Sequence, residues 1–349
     1  MKISLLFAFV GMLSFCGFDA HSQSLDNPGD YMTAISNAQV EMNQKYMAYT
    51  SAVAHGRRAK KIEKMRQQTL ESITNARYKT IDIPIYKGDN SLRQAGIDYI
   101  QFCYNIFNED YSKIVNMEEI AEQSFDGMEA YILMQEKTNE SLKQASGKMD
   151  VAVKAFAVKN NVRIVAGEKD VLSEKLETAG KLNHYTNQLY LIFFKCNWEY
   201  NQVIESLNKK KLNDAEQARN ALIKYAGEGF SSLEGSTLSS FDNDPALAAA
   251  CKETIDCYKK AAENDIPKIL DFYLKQENFE KLKRTMDTKS ERTKADVDAF
   301  NKAVNDMNSA VQTFNDVNTN LNKKTNQVLQ SWEKAEKSFS DTHMPYYRG

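Results

Sequence analysis

A heptad pattern of apolar residues runs along the last part of the chain, from Val297 to Phe339. Its positions alternate in steps of three and four, and the polar residues Asn318 and Thr325 interrupt it. A repeat of 3.5 residues keeps one stripe of a helix facing a partner, so we expect a helix of roughly 65 Å packed against other helices. The stripe comprises Val297, Phe300, Val304, Met307, Val311, Phe314, Leu321, Val328, Trp332, Ala335 and Phe339.

The preceding segments predict further helices. Asn27-Pro28 is typical of a helix start, and the β-branched residues and proline before Gly88 favour an extended connection. The first half is expected to contain a helix over 28–54, a short helix ending near Tyr78, a strap over 81–88, a helix capped by Asp89 and a heptad helix from Met117 to Phe156.

The second half repeats the first at a nearly constant separation. Leu92 and Ile100 recur 155 positions later as Leu247 and Ile255. Such a separation indicates duplication of one helical unit. The helices of the second copy are expected over 168–209, 213–234, 245–274 and 278–340.

We therefore predict an all-α protein, an elongated bundle of long helices made of two tandem four-helix copies. The predicted divisions are a signal peptide over 1–22, the first copy over 23–161 and the second over 162–349. The pattern does not choose between two separate bundles and one body in which the two fourth helices pair.

The composition agrees with an all-helical fold and does not indicate a charged partner. The chain has only 14 Gly and 5 Pro among 349 residues, too few for a loop-rich β architecture. Its 45 basic and 47 acidic residues nearly balance, so no global charge favours nucleic acid or anionic lipid. We expect no nucleic-acid partner.

The N-terminus has the form of an export signal. Lys2 precedes the apolar run Ile3–Phe15, and Ala20 and Ser22 are small residues at the positions that signal peptidase recognises. Cleavage would leave a mature chain that begins near Gln23, in the periplasm, at the outer-membrane surface or outside the cell. A lipid anchor at Cys16 is the alternative, disfavoured by the bulky residue before it. We expect no transmembrane helix after signal removal.

Catalytic signatures are not found in the sequence. No nucleophile elbow, phosphate-binding loop or paired metal-ligand motif occurs, so we predict a protein that is not an enzyme and holds no cofactor or metal. His184 is expected to be a partly buried packing residue. The cysteines beyond the signal can form disulfides or can be buried free thiols. They are Cys103, Cys196, Cys251 and Cys257.

An aromatic cluster lies in the middle of the chain and allows two interpretations. It can form the packed centre of the molecule, or it can line a pocket for a small apolar ligand between helices. The candidate pocket residues are Tyr190, Phe194, Trp198 and Tyr200. Aromatic residues at helical spacing usually pack in the core, and we favour that interpretation.

Two basic clusters and the C-terminal tail complete the candidate features. The clusters can bind an anionic polymer or lipid, or they can be solvated helix ends, which is the commoner case. The tail 344–349 can dock on the body or be a recognition tag, and docking is commoner. The clusters comprise Arg57, Arg58, Lys60 and Lys61, and Lys209, Lys210 and Lys211.

The export signal followed by near-continuous helix resembles the uncharacterised all-helical surface or periplasmic proteins of Gram-negative bacteria. This resemblance assigns no functional residue. The first hypothesis is an exported, non-enzymatic scaffold or interaction protein of the bacterial envelope, with a protein partner or a second copy of itself. The second is a periplasmic or surface protein that binds a small apolar ligand near Trp198 and Tyr200.

Overall fold

The protein is built from α-helices. A computed structural model describes residues 25–55, 59–110, 124–164, 171–234 and 237–347, and within these ranges it contains no β-strand, only two isolated bridges. This confirms the all-α prediction. The helices are α1 Pro28–Ala54, α2 Ala59–Asp82, α3 Ser91–Asn105, α4 Phe125–Lys159, α5 Val171–Asn208, α6 Leu212–Leu233, α7 Ala246–Lys260, α8 Ile266–Thr288 and α9 Lys294–His343.

Several sequence-based predictions lie outside the described residues. They include the export signal over 1–22 with Cys16, the basic pair Arg57 and Arg58, and the expected helix start at Met117.

The chain divides into two compact units. The first contains the residues up to Asn187 together with those from Ser338 onward, and the second is Gln188–Lys337. These bounds differ from those of the predicted tandem copies 23–161 and 162–349.

An aromatic triangle lies in the core of the first unit. The ring centroids of Tyr31 on α1 and Phe156 on α4 are 5.5 Å apart. The Tyr86 ring lies 5.0 Å from Tyr31 and 5.2 Å from Phe156. The Tyr86 hydroxyl donates to the backbone oxygen of Asp26 at 3.0 Å. This side chain therefore fixes the α2–α3 connection against the start of α1.

The core of the second unit forms where α5 packs on α7 and α9. Trp332 is only 1% exposed, and its ring stacks on Phe193 at 4.7 Å. Tyr200 stacks on Tyr258 at 4.9 Å. These contacts bury the C-terminal part of the predicted heptad stripe.

The same turn precedes α3 and α7, 155 positions apart. In Tyr86–Asp89 and Phe241–Asp244 the outer residues form a bridge and the two central residues have positive φ. In each, the last Asp accepts a hydrogen bond at Oδ1 from the backbone N–H two residues later, at 2.9 and 2.8 Å. Each following helix has 15 residues and ends in a five-residue π-helical turn, Ile106–Asp110 or Ala261–Asp265. Repetition of the whole four-helix unit stays a prediction.

Three predicted details are wrong. The strap over 81–88 starts too early, because α2 continues to Asp82 and Arg93 Nη2 donates to the Ile81 oxygen at 2.5 Å. The last helix begins at Lys294 and not at 278, because Thr293 and Asp296 form a capping box. Asn318 is exposed and interrupts no buried stripe. The neighbouring Val317 is half-buried, as expected when a 3.6-residue helix drifts against a 3.5-residue pattern.

Two glycines of α6 provide a test of packing in the second unit. A Cβ atom at Gly229 would lie 2.8 Å from Ile192 Cγ2 and 3.0 Å from Ile255 Cδ1, whereas a Cβ at Gly227 meets nothing within 4 Å. We expect Gly229→Ala to lower the free energy of unfolding by about 1–3 kcal/mol through overpacking. The matched control Gly227→Ala should raise it by up to about 1 kcal/mol through helix propensity. Urea unfolding followed by circular dichroism measures both, and equal effects would contradict the packing of α6 described here.

Candidate functional site

The four predicted pocket residues do not line one common space. Tyr190, Phe194 and Trp198 are four residues apart along α5, with ring centroids separated by 5.9 Å and 6.1 Å in turn. Tyr200 instead packs on Tyr258 of α7. The structure thus places Tyr190, Phe194 and Trp198 in one row along α5, and it places Tyr200 against a different helix.

The tyrosine hydroxyls near this cluster have hydrogen-bond partners within the protein. The Tyr200 hydroxyl lies 3.3 Å from Thr325 Oγ1 on α9, and the Tyr258 hydroxyl donates to Asn197 Oδ1 at 2.8 Å. Phe193, which was not among the candidate residues, stacks on Trp332. These contacts favour the core interpretation, and the apolar-ligand pocket stays a prediction.

The cysteines beyond the signal are free thiols. Burial raises the pKa of Cys196 to about 12, and it also raises the pKa values of Cys103 and Cys251. A protonated thiol is a poor nucleophile at neutral pH. The buried-thiol alternative therefore describes Cys103, Cys196 and Cys251, whereas the free thiol of Cys257 is half-buried.

The histidines differ from the prediction in one case. His184 is largely exposed, with Nδ1 3.1 Å from Glu136 Oε1, so it is not a packing residue. His55 lies at the end of α1 with Nδ1 3.2 Å from Asp341 Oδ1. Within the described ranges, no group of three or more His, Cys, Asp or Glu side chains is placed to hold a metal ion.

Helices α8 and α9 form an antiparallel hairpin that sequence reasoning missed. Phe272 stacks on Phe314 at 4.3 Å, and farther out Phe279 stacks on Phe300 at 5.8 Å. At the turn, Asp296 accepts from the backbone N–H of Thr293 and from the Lys289 ammonium. These bonds hold the pKa of Asp296 at about 2. The Thr293-x-x-Asp296 spacing was the available sequence signal for this turn.

One face of α9 in the hairpin combines valine with asparagine and carries no charge. Its valines are seven residues apart, and an exposed asparagine follows each by four residues. Val297 is 41% and Val311 is 39% exposed, whereas the heptad pattern predicted both to be buried. A hairpin covers one side of each helix, so this flank stays open. The valine–asparagine face comprises Val297, Asn301, Val304, Asn308, Val311 and Asn315.

The chain matches no protein-family model, and comparisons with curated proteins and with solved structures find no significant similarity.

None of the helices in the described ranges combines the length and the apolar character needed to cross a bilayer.

Glu336 on α9 is a half-buried carboxyl with a strongly shifted pKa. Burial, with a smaller contribution from the charge of Glu333, raises its pKa to about 7. A carboxyl whose pKa is higher in the folded chain than in the unfolded chain binds its proton more tightly when folded. The free energy of unfolding therefore falls as pH rises through the interval between the ordinary value of 4.5 and about 7.

We expect Glu336→Gln to leave stability nearly unchanged at low pH, where the native carboxyl is protonated, and to stabilise the protein above neutrality. Urea unfolding on either side of the shifted pKa measures this difference. Glu280→Gln, at an exposed position of α8, is the control and should show no such pH-dependent gain. An equal effect of Glu336→Gln at both pH values would contradict the burial of this carboxyl.

Proposed function

We propose that the protein is an exported, non-enzymatic helical interaction protein of the bacterial envelope that associates with a second copy of itself through the valine–asparagine face. The observation that carries this proposal is the exposure of Val297 and Val311 on α9, with the half-buried Val304 midway between them, at positions that a heptad pattern would bury against a partner.

The face is complementary to itself. Antiparallel pairing of two copies about Val304 sets Val297 opposite Val311 of the second copy and brings Asn301 close to Asn308 of that copy. Apolar groups then meet apolar groups, and each amide can both donate and accept a hydrogen bond. Because the six residues are uncharged, no like charges oppose the approach. Such a pairing is an isologous two-fold interface, the commonest arrangement of homodimers.

The size of the face sets the expected strength of association. From Val297 to Asn315 it is about 27 Å long at 1.5 Å per residue. One helix face of this length buries less than the roughly 1,600 Å² of a standard stable interface. We therefore expect a reversible dimer with a Kd in the micromolar range, about −7 to −8 kcal/mol.

Three buried hydroxyls of α2 serve helix packing and offer no nucleophile to a catalytic site. Thr69, Ser72 and Thr80 are buried on α2, and each hydroxyl donates to a carbonyl oxygen of its own helix at 2.7–2.9 Å. These hydroxyls satisfy helix packing and are not held by a base that could activate them.

The test of self-association uses the mature chain and charged variants of the face. We expect the native protein to dimerise reversibly in sedimentation velocity, and Val297→Glu and Val311→Glu each to weaken the dimer at least about tenfold, because each copy would bury an unpaired carboxylate against the opposing valine. Val151→Glu and Val158→Glu, at valines that are 67% and 79% exposed on α4, are the matched controls and should leave the dimer intact.

A native chain that stays monomeric at about 100 µM, well above the expected micromolar Kd, would refute self-association. Equal weakening by the α4 variants would show that any added charge disturbs the chain, and it would remove the support for this face.

Export has its own test. We expect the chain recovered from a Gram-negative envelope fraction to begin at Gln23, because Ala20 and Ser22 suit signal peptidase. Intact-mass spectrometry distinguishes this product from a chain that begins at a lipid-modified Cys16. A chain retained in the cytoplasm with residues 1–22 still attached would contradict export.

A further inference from the structure

The C-terminal tail docks on the first unit, as the favoured interpretation of the sequence expected. The backbone N–H of Tyr347 donates to Ser51 Oγ at 3.1 Å, and the Lys175 ammonium donates to the backbone oxygen of Tyr346 at 2.7 Å. Met344 is buried at the start of the tail. The described part of the tail, 344–347, is thus held by groups of the unit to which it belongs.

The docked tail borders a partly open cavity of about 350 Å³ between α1, α2 and the two tyrosines. Small residues on the last turns of α1, Ala48 and Ala52, leave the space open, and Met65 of α2 adds an apolar wall. A volume of this size lies at the lower end of the roughly 300–1,000 Å³ found for small-molecule sites.

Cationic groups line the cavity without an acidic residue among the described lining side chains. Lys45 reaches it from α1 and Lys61 from α2, and within the described residues neither ammonium is paired with a carboxylate. An anion entering the cavity would therefore meet two ammonium groups with no carboxylate partner in the described part of the chain, each a strong donor.

His55 supplies a third polar group. Its Nδ1 faces Asp341, which fixes the orientation of the ring, and its Nε2 is buried with no hydrogen-bond partner among the described residues. A buried polar atom without a partner carries a free-energy cost that a ligand can relieve. The Tyr346 ring lies 5.2 Å from the imidazole and extends the aromatic wall beside it.

We infer that this cavity is a binding site for a small organic carboxylate with an apolar or aromatic body. The carboxylate would accept from the Lys45 and Lys61 ammonium groups and from His55 Nε2 when the imidazole is protonated. The apolar body would pack between Met65 and the ring of Tyr346. This combination of a few charged groups with apolar walls is the usual chemistry of small-molecule sites.

The experiment uses benzoate as the probe, with benzamide as its neutral analogue and inorganic phosphate as an anion without an apolar body. By calorimetry and amide NMR we expect benzoate to bind the mature chain with a Kd below about 1 mM and both analogues at least about tenfold more weakly. Shifts of the Ser51 and Tyr347 amide signals should locate the site at the tail.

Variants test whether the named groups make the site. Lys45→Met and Lys61→Met, which remove the charge and keep the length of the side chain, should each weaken benzoate binding about fivefold or more. Lys64→Met, at an exposed position of α2 outside the cavity, is the matched control and should bind as the native protein does. Tyr346→Ala should also weaken binding, because it removes the aromatic wall.

Three results would overturn the inference. They are the absence of benzoate binding up to about 10 mM, equal affinity for benzoate and either analogue, and native affinity in a protein that carries both lysine substitutions.

Discussion

The burial of the apolar stripe on α9 is the constraint on which the second unit depends. An apolar stripe along a helix is stable in water only where other residues cover it. The cover on α9 differs between its two ends. At Trp332 the indole stacks on Phe193 of α5 with almost no exposure. Toward Val297 the α8–α9 hairpin provides the contacts, through stacked rings such as Phe279 and Phe300. One stripe therefore produces a core at one end and an open valine–asparagine face at the other.

In the first unit, close approach of helices depends on small polar residues. Thr69, Ser72 and Thr80 lie on the buried side of α2, and their hydroxyls bond to carbonyl oxygens within the same helix. A hydroxyl satisfied in this way can enter a helix interface without an unpaired polar group. Ala48 and Ala52 near the end of α1 have the opposite effect. Their short side chains leave a space, which the C-terminal tail borders as the wall of a cavity.

The function proposed for the protein and the carboxylate site inferred in it rest on different parts of the chain. The proposed self-association would use α9 in the second unit, where Val297 and Val311 are exposed. The inferred carboxylate site would use α1, α2 and the tail of the first unit, where Lys45 and Lys61 have no carboxylate partner among the described residues. The two proposed sites share no residue, so each can be tested without disturbing the other.

The sequence by itself determined the secondary structure and part of the topology. Heptad spacing identified α9, Asn27-Pro28 located the start of α1, and the separation of 155 positions anticipated the matching turns before α3 and α7. These features depend on periodicity and on local hydrogen bonds, which neighbouring residues specify. The break at 289–293 was also encoded locally, in the capping box of Thr293 and Asp296, but the predicted helix over 278–340 ran through it.

Only the tertiary structure decided which residues of each apolar pattern are covered. Periodicity identifies an apolar face but does not count the helices that pack on it, so Val297 and Trp332 occupy equivalent heptad positions with opposite exposure. The same reason separates Tyr200 from Tyr190, Phe194 and Trp198, since its ring packs on Tyr258 of α7, a helix distant in sequence. The cavity beside His55 could not be predicted, because the residues that line it are brought together over nearly 300 positions by the docking of the tail.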